Sequence, residues 1–245
     1  MVYEKKYVFG KVVISDEETK DGTVRTLYVN GARESACYVE DGRHYDLRFR
    51  YTMEFAQIME MTDLDRQILL IGGAGFSVPK YFISHFRKGS MDVVELHDEM
   101  YDIAMRYFYL DELYKEYSYE IDNRMHIFFG DGNEYIKNCR RKYDIVFDDA
   151  YSGESKDPEF LSERTIATVA GLLTSEGRYV INLITAAKGY GSMQAALTCS
   201  LLKNHFRHVK MWQTDPERKP TERQNCIIMA SVPEIATEDF TLRRC

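Results

Sequence analysis

Gln67-Ile68-Leu69-Leu70-Ile71-Gly72-Gly73-Ala74-Gly75-Phe76-Ser77 is the stretch on which the fold turns. Ile68 to Ile71 is a continuous apolar run without the alternation of a half-exposed strand, the pattern of a strand buried on both faces in a parallel sheet. The run stops at glycines, and Val78 to Phe86 then reads as a helix, with Pro79 tolerated in its first turn. In open parallel sheets ligands sit beyond the carboxyl ends of the strands, and the first such end here is Gly72 to Ser77. Small residues at Gly72, Gly73 and Gly75 let the backbone approach a ligand closely. The spacing departs from the dinucleotide fingerprint G-x-G-x-x-G, because Val78 stands where a third glycine would fall if Gly73 opened the motif. A tight turn with a purely structural purpose is the competing explanation.

Working downstream, Met91 to Leu96 is a second strand, Met100 to Leu110 a helix, Met125 to Phe129 a third strand and Tyr143 to Phe147 a fourth. Leu161 to Leu173 is expected to be helical, Arg178 to Ile184 a strand, and Ser192 to Asn204 a helix. Val209 to Thr214 and Cys226 to Ser231 flank a polar, proline-containing loop and suit a closing antiparallel hairpin. Alternating units of this kind predict an α/β, Rossmann-like fold: a mainly parallel sheet with helices on both faces. The aromatic cluster from Tyr101 to Tyr119 fits one helix face plus a solvated insertion.

Upstream the pattern changes. Tyr7 to Ser15 alternates, Asp16 to Gly22 is a polar turn, Thr23 to Val29 is β-rich, Asn30-Gly31 marks a hairpin, and Ala32 to Val39 makes a third strand. Residues 1–50 therefore read as a small antiparallel β-domain and 51–245 as the Rossmann-like domain. A helix from about Asp46, with Leu47, Tyr51, Phe55, Ile58 and Met59 on one face, is expected to bridge them.

The chain has 245 residues, 44% hydrophobic and 29% charged, with a formal net charge of −7. That composition is globular, and the negative balance argues against a nucleic-acid partner held by phosphate contacts. Five scattered cysteines, Cys37, Cys139, Cys199, Cys226 and Cys245, never form a C-x-x-C pair, so zinc is not expected. They fit buried thiols in a reducing compartment, with Cys245 an exposed terminal thiol. His85, His97 and His126 are dispersed and lack metal-ligand spacing. Met1 to Lys11 lacks the apolar stretch of a signal peptide and no run is long enough to span a bilayer, so a cytoplasmic location without membrane contact is expected.

Glu95 strengthens the case for a ligand. It ends the second strand about twenty residues beyond the glycines, where an acid accepts hydrogen bonds from ribose hydroxyls. Asp131-Gly132, directly after the third strand, could border a base at the same edge; a simple turn is the alternative there.

Three segments together resemble the spermidine synthase family of aminopropyltransferases: Ile68 to Phe76, Val93 to Met100 with Glu95, and Phe129 to Tyr135 followed by Tyr143-Asp144-Ile145-Val146-Phe147-Asp148-Asp149-Ala150-Tyr151. Leu27-Tyr28-Val29-Asn30-Gly31-Ala32-Arg33-Glu34-Ser35 is similar to the family's small β-domain, which leads to a substrate-binding tyrosine. Tyr51 matches it, with Tyr45 second. The resemblance implies a Rossmann-like catalytic domain behind a β-domain, often dimeric, with Glu95 on the donor ribose and Asp131 and Gly132 near adenine. It makes Asp149 the catalytic aspartate, or Asp148 if the match is displaced by one residue. It implies S-adenosylmethionine or its decarboxylated form as co-substrate, no permanently bound cofactor, and a small amine as acceptor.

The match departs from the family at definite points. The family's glycine loop carries an aspartate for the donor's amine where this chain has Gly75, and a further acid normally follows the catalytic aspartate where this chain has Ala150, Tyr151 and Ser152. The glutamine after the site tyrosine is replaced by Thr52. Without the acid, intact S-adenosylmethionine becomes admissible, its carboxylate received by Ser77 and the N–H groups that open the helix. A methyltransferase on a small acceptor and a non-catalytic adenosyl-ligand-binding protein therefore stand beside the aminopropyltransferase.

Overall fold

The structure, a computed structural model, describes residues 1–61, 65–152 and 155–234. Cys245 lies outside them. Ile68 to Ile71 form the middle of a seven-stranded sheet as β5 (Gln67–Ile71), each of the four 2% exposed or less.

The chain begins with an antiparallel sheet of β1 (Tyr3–Tyr7), β2 (Gly10–Thr19), β3 (Gly22–Val29) and β4 (Ala32–Tyr38), in that order. α1 (Arg50–Glu60) leads into β5, followed by α2 (Ser77–His85), β6 (Ser90–Glu95), α3 (Asp98–Tyr107), α4 (Leu110–Glu116), α5 (Ser118–Arg124) and β7 (Met125–Phe129). Next come α6 (Gly132–Asn138), β8 (Tyr143–Asp148), a two-stranded ribbon of β9 (Tyr151–Ser152) and β10 (Ser155–Lys156), α7 (Glu163–Leu172), β11 (Leu173–Thr185), α8 (Met193–Leu202), β12 (His208–Gln213) and β13 (Gln224–Ser231).

The large sheet has the order β12-β13-β11-β8-β5-β6-β7. β5 pairs in parallel with both β6 and β8, and β8 with β11; β13 is antiparallel to β11 and β12, which is the closing hairpin expected from the sequence. The chain runs outward through β6 and β7, then returns to the other side of β5 as β8. That reversal opens a crevice between the carboxyl ends of β5 and β8, where open α/β sheets bind ligands.

Both faces of the sheet are covered. α1, α2, α4 and α5 pack on one, through residues such as Phe55, Phe82, Leu113 and Ile121, and α6, α7 and α8 on the other, through Ile136, Ile166, Val169 and Leu202. The four-stranded sheet shares its core with the rest of the molecule: Val12, Ile14, Leu27 and Cys37 pack against Met100, Ile103 and Phe108. Buried Lys80 of α2 reinforces this seam, its Nζ donating to the carbonyls of His44 and Phe108. Burial pulls its pKa down to about 8.

Several local expectations are corrected. Tyr3 to Tyr7 is an additional edge strand, and Asp16 to Thr19 continues β2 rather than turning. Asp16 stands opposite Arg25 and takes two 2.8 Å hydrogen bonds from its guanidinium, so a polar stretch is strand because its charges are paired across the ladder. The bridging helix starts at Arg50, not near Asp46, and the helix expected over Met100 to Leu110 ends at Tyr107, the insertion after it forming two short helices.

Because Phe108 is fully buried where the four-stranded sheet packs on α3, Phe108→Ala is expected to cost about 3–5 kcal/mol of stability in urea unfolding. A loss below about 1 kcal/mol would mean that the seam carries no core packing.

Candidate active site

A cavity of about 770 Å³ lies over the carboxyl ends of β5, β6, β8 and β11, roofed by Arg33 to Ala36 of β4 and walled by Arg50 to Thr52 of α1. Its floor depends on Gly72. This residue has φ of +96°, and a Cβ there would stand 2.6 Å from the Asp149 carbonyl oxygen. Asp149 N donates to Ile71 O at 2.9 Å, so the loops after β5 and β8 close on each other only because Gly72 has no side chain.

Glu95, 6% exposed at the end of β6, organises the glycine loop. Its Oε2 accepts from the N–H groups of Gly73 (2.8 Å) and Ala74 (2.9 Å), and its Oε1 from His97 N (3.0 Å). Ala74 and Phe76 hold left-handed φ of 43° and 56°, conformations that cost non-glycine residues energy and are sustained here by that carboxylate and by full burial of Phe76. His97 also lines the cavity, its ring stacked on Phe9 at 4.1 Å.

Gly75 is placed differently from the expectation. It is buried and is not among the cavity-lining residues. A Cβ built on it would meet Ser35 Oγ at 2.6 Å, so the space its side chain would need is filled by β4. Ser35 Oγ in turn meets Ser77 Oγ at 2.9 Å, and Ser77 also donates to Ala36 O at 3.1 Å; the Ser77 hydroxyl thus ties α2 to β4 while facing the cavity. Asp131 sits exposed at the opposite rim as the N-cap of α6, its Oδ1 accepting from Asn133 N and Glu134 N. Gly132 is required by packing, since a Cβ would lie 2.5 Å from Ile71 Cγ2.

Tyr51 and Asp149 meet. The Tyr51 hydroxyl donates to the Asp149 carboxylate, which also takes a 2.9 Å hydrogen bond from Asn182 Nδ2. Burial pushes Asp149 up to about 6 despite these two donors and the nearby Lys156, and the charge of Asp148 adds to the rise. Burial, then Asp149, raises Tyr51 well above the ordinary phenol range. The neighbouring Asp148 points the other way: it is fully buried, 2.7 Å from Lys156 Nζ, and accepts from Tyr179 OH. Of the two aspartates only Asp149 faces the cavity. Tyr45 does not line it and packs edge-on to Tyr117 instead.

Two further cavity residues escaped the sequence reading. Asn182, 2% exposed, orients Asp149, and its Oδ1 is buried with no hydrogen-bond partner among the described residues. Its signal was present: a lone polar residue within Tyr179-Val180-Ile181-Asn182-Leu183-Ile184, where burial without purpose is costly. Tyr151 accepts from Ile184 N at 2.7 Å and donates to Asn182 O at 3.1 Å, which fastens the β9–β10 ribbon to β11. Chemically, the site offers a poised carboxylate, a phenol and an unsatisfied amide oxygen within one crevice.

The family model for the spermine/spermidine synthase domain matches residues 48–211. A polyamine aminopropyltransferase of Vibrio vulnificus is 26% identical over 193 residues, spanning 78% of this chain and 61% of that protein. A human eEF1A lysine and N-terminal methyltransferase is 26% identical over 182 residues, 65% of this chain and 24% of that protein. The chain thus spans less than two thirds of either relative. A probable spermidine synthase from Corynebacterium glutamicum superposes with a TM-score of 0.79 at 17% identity, covering 98% of this chain and 84% of the other. Human methyltransferase-like protein 13, in complex with SAH, superposes with 0.62 at 19% identity over 78% and 87% of the two chains. The fold is common to synthases and methyltransferases.

The raised Asp149 has a stability consequence of definite sign. A carboxyl whose folded pKa lies above its unfolded value stabilises the fold only while protonated, and that contribution is lost as pH rises through about 6. Asp149→Asn is therefore expected to be more stable than the parent at pH 7.5, by about 1–2 kcal/mol after allowance for partial exposure. The gain should fade toward pH 4. Equal stabilities in urea unfolding at pH 7.5 would rule out the desolvated carboxylate.

Proposed function

This chain belongs to the spermine/spermidine synthase family, and from that premise we propose that it is a transferase using an S-adenosyl-type sulfonium co-substrate and an amine acceptor, with aminopropyl transfer as the primary reading. The observation that carries it is the Tyr51–Asp149–Asn182 constellation at the crevice between β5 and β8, with a carboxylate raised to about 6. Glu95, Gly72, Gly73, Ser77 and the Asp131-Gly132 turn line the same cavity and are assigned to the adenosyl half; Gly75 supports it from behind.

In this reading the sulfonium centre supplies the activated carbon and leaves as a neutral thioether. The amine forms the new N–C bond as the C–S bond breaks, the bonding pair departing with sulfur. A free alkylamine holds its proton up to about 10.4, so the site must hold the neutral form. Asp149 receives that proton and Asn182 Oδ1 accepts a remaining N–H, which fixes the lone pair toward the carbon. Tyr51 donates to Asp149 and keeps its carboxylate oriented.

A second reading, methyl transfer from intact S-adenosylmethionine, is favoured by one specific feature: position 75, where the resemblance puts an acid for the donor's ammonium, is a glycine with Ser35 in its way. The match to the eEF1A methyltransferase points in the same direction. A calorimetric titration against both donors separates the two readings, and ligand binding without turnover over a broad amine panel would favour the non-catalytic alternative. The cytoplasmic setting remains our reading, supported by Cys37, Cys139, Cys199 and Cys226 being free thiols. Homodimerisation is proposed from the family resemblance.

Asp149→Asn is expected to lower turnover by about 10²–10⁴ while leaving adenosyl-ligand affinity within a factor of about three. In the parent, kcat/KM should rise with pH to a plateau above about 6. Retained turnover in the variant would remove Asp149 from the chemistry.

Glu95→Ala is expected to weaken binding of methylthioadenosine by about 1–3 kcal/mol and to lower stability by a similar amount, because three backbone N–H groups lose a charged acceptor. Unchanged affinity, measured under conditions where the variant is folded, would place the ribose elsewhere.

A further inference from the structure

The order of strands sorts the cavity wall into two halves. On one side of β5 the ends of β6 and β7 bring Glu95 and Asp131. On the other, β8, β11 and the start of β13 bring Asp149, Asn182 and Gln224, with the hairpin loop before β13 contributing Asp215, Arg218 and Arg223. This second half carries all five of the cavity's arginines. Arg218 and Arg223 line it from the hairpin, Arg48 and Arg50 from the segment entering α1, and Arg33 from β4, over the Phe49 ring at 5.8 Å.

Four carboxylates, Glu34, Asp149, Asp157 and Asp215, line the same half, and Asp157 is taken up in capping Glu159 N at 2.9 Å. Asp215 is engaged, 2.9 Å from Arg50 and 3.7 Å from Arg218, and Asp149 is committed to Tyr51 and Asn182. Arg223, exposed at the cavity mouth, bonds to the Ile184 carbonyl at 3.3 Å, two residues beyond Asn182, and its charge acts on the Tyr151 phenol, which places a guanidinium on the acceptor-side wall. Arg48 Nε is buried without a hydrogen-bond partner among the described residues. This concentration of cations stands in a chain of net charge −7.

An alkyl diamine would bring a second ammonium into this half, and like charges in a partly desolvated pocket oppose binding. A guanidinium instead matches a carboxylate or phosphate with paired, charge-assisted hydrogen bonds. We infer that the acceptor is an amine that also carries an anionic group, carboxylate or phosphate, its nitrogen at Asp149 and Asn182 and its anion toward Arg223 and Arg218. The inference rests on the transferase reading above and names its substrate class.

The test compares 4-aminobutanoate with 1,4-diaminobutane, which share a chain length and differ in the charge at one end, and adds O-phosphoethanolamine as the phosphate arm. Calorimetry is done on the full chain saturated with methylthioadenosine, so that the adenosyl half is filled. At least one anionic amine is expected to bind tenfold or more tightly than the diamine, and the tighter one identifies carboxylate or phosphate. Arg223→Gln should erase most of that preference without changing methylthioadenosine affinity, Arg223→Lys should retain it, and Arg218→Gln is the second variant should Arg223→Gln fail to fold. Binding of the diamine as tightly as the anionic amines, binding of none of the three, or a preference untouched by both glutamine variants would overturn the inference. Failure of methylthioadenosine itself to bind would instead overturn the transferase reading beneath it.

Discussion

Where β5 ends, Gly72 occupies a position at which any side chain would run into the carbonyl of Asp149, 2.6 Å from a Cβ. The backbone also turns there through a positive φ that glycine adopts without penalty. These two demands fall on one residue because the chain reverses its direction of travel across the sheet between β5 and β8. The loops that leave those strands must diverge to open a crevice, yet touch at their roots to close its floor. The contact sets the height of Asp149 relative to the glycine loop, and through it the spacing of everything else in the cavity. Glu95 completes the arrangement from the other side by gathering the amides of Gly73 and Ala74. The left-handed turns at Ala74 and Phe76 then cost less than they would in an unsupported loop.

The two consecutive aspartates show how a strand divides labour. Successive side chains at the end of β8 leave on opposite sides, so Asp148 and Asp149 enter different environments although their backbones are adjacent. Asp148 is paired with Lys156 at 2.7 Å in full burial, where removal of one partner would strand a charge. Asp149 has no ion pair of its own and is held by the Tyr51 and Asn182 donors, with Lys156 acting only through its charge, so burial dominates and its pKa rises to about 6. The pair at Asp148 and Lys156 also anchors the β9–β10 ribbon, which carries Tyr151 to the mouth of the cavity. A structural ion pair thus supports a neighbouring carboxylate whose usefulness comes from being left without one.

Much of this architecture is legible in the sequence. The continuous apolar run at Ile68 to Ile71 marks its strand, because burial on two faces leaves no room for polar alternation, and Tyr143 to Phe147 marks another in spite of Asp144. The place of Glu95 at the end of β6, beside the glycine loop, is legible from its distance beyond the glycines, and the closing hairpin from two runs around a proline-containing loop. What escaped were features made by pairing between distant segments. Asp16 to Thr19 looks like a turn until Arg25 is placed opposite Asp16, and Tyr3 to Tyr7 is a strand only because β2 offers an edge. Asn182 lay in plain view as a polar break in a buried strand, but its meaning depends on Asp149 one strand away. Gly75 was the opposite case: its neighbours in sequence suggested a ligand, whereas its neighbour in space is Ser35.

The sheet order divides the cavity wall between strands on the two sides of β5. On the proposed reading, the residues assigned to the adenosyl half follow β5, β6 and β7, and those assigned to the acceptor half follow β8, β11 and the β12–β13 hairpin, so the strands of the two sets meet at the seam of Gly72 and Asp149. Substitution on the hairpin leaves the glycine loop and Glu95 undisturbed, since no strand pairing joins β13 to β5 or β6. On the proposed reading, that separation is why Glu95 and the glycines stand in the family's pattern, the acid at position 75 excepted, while the opposite wall carries arginines. The electrostatics of the two halves are then free to diverge, provided that Asp149 stays where the seam holds it.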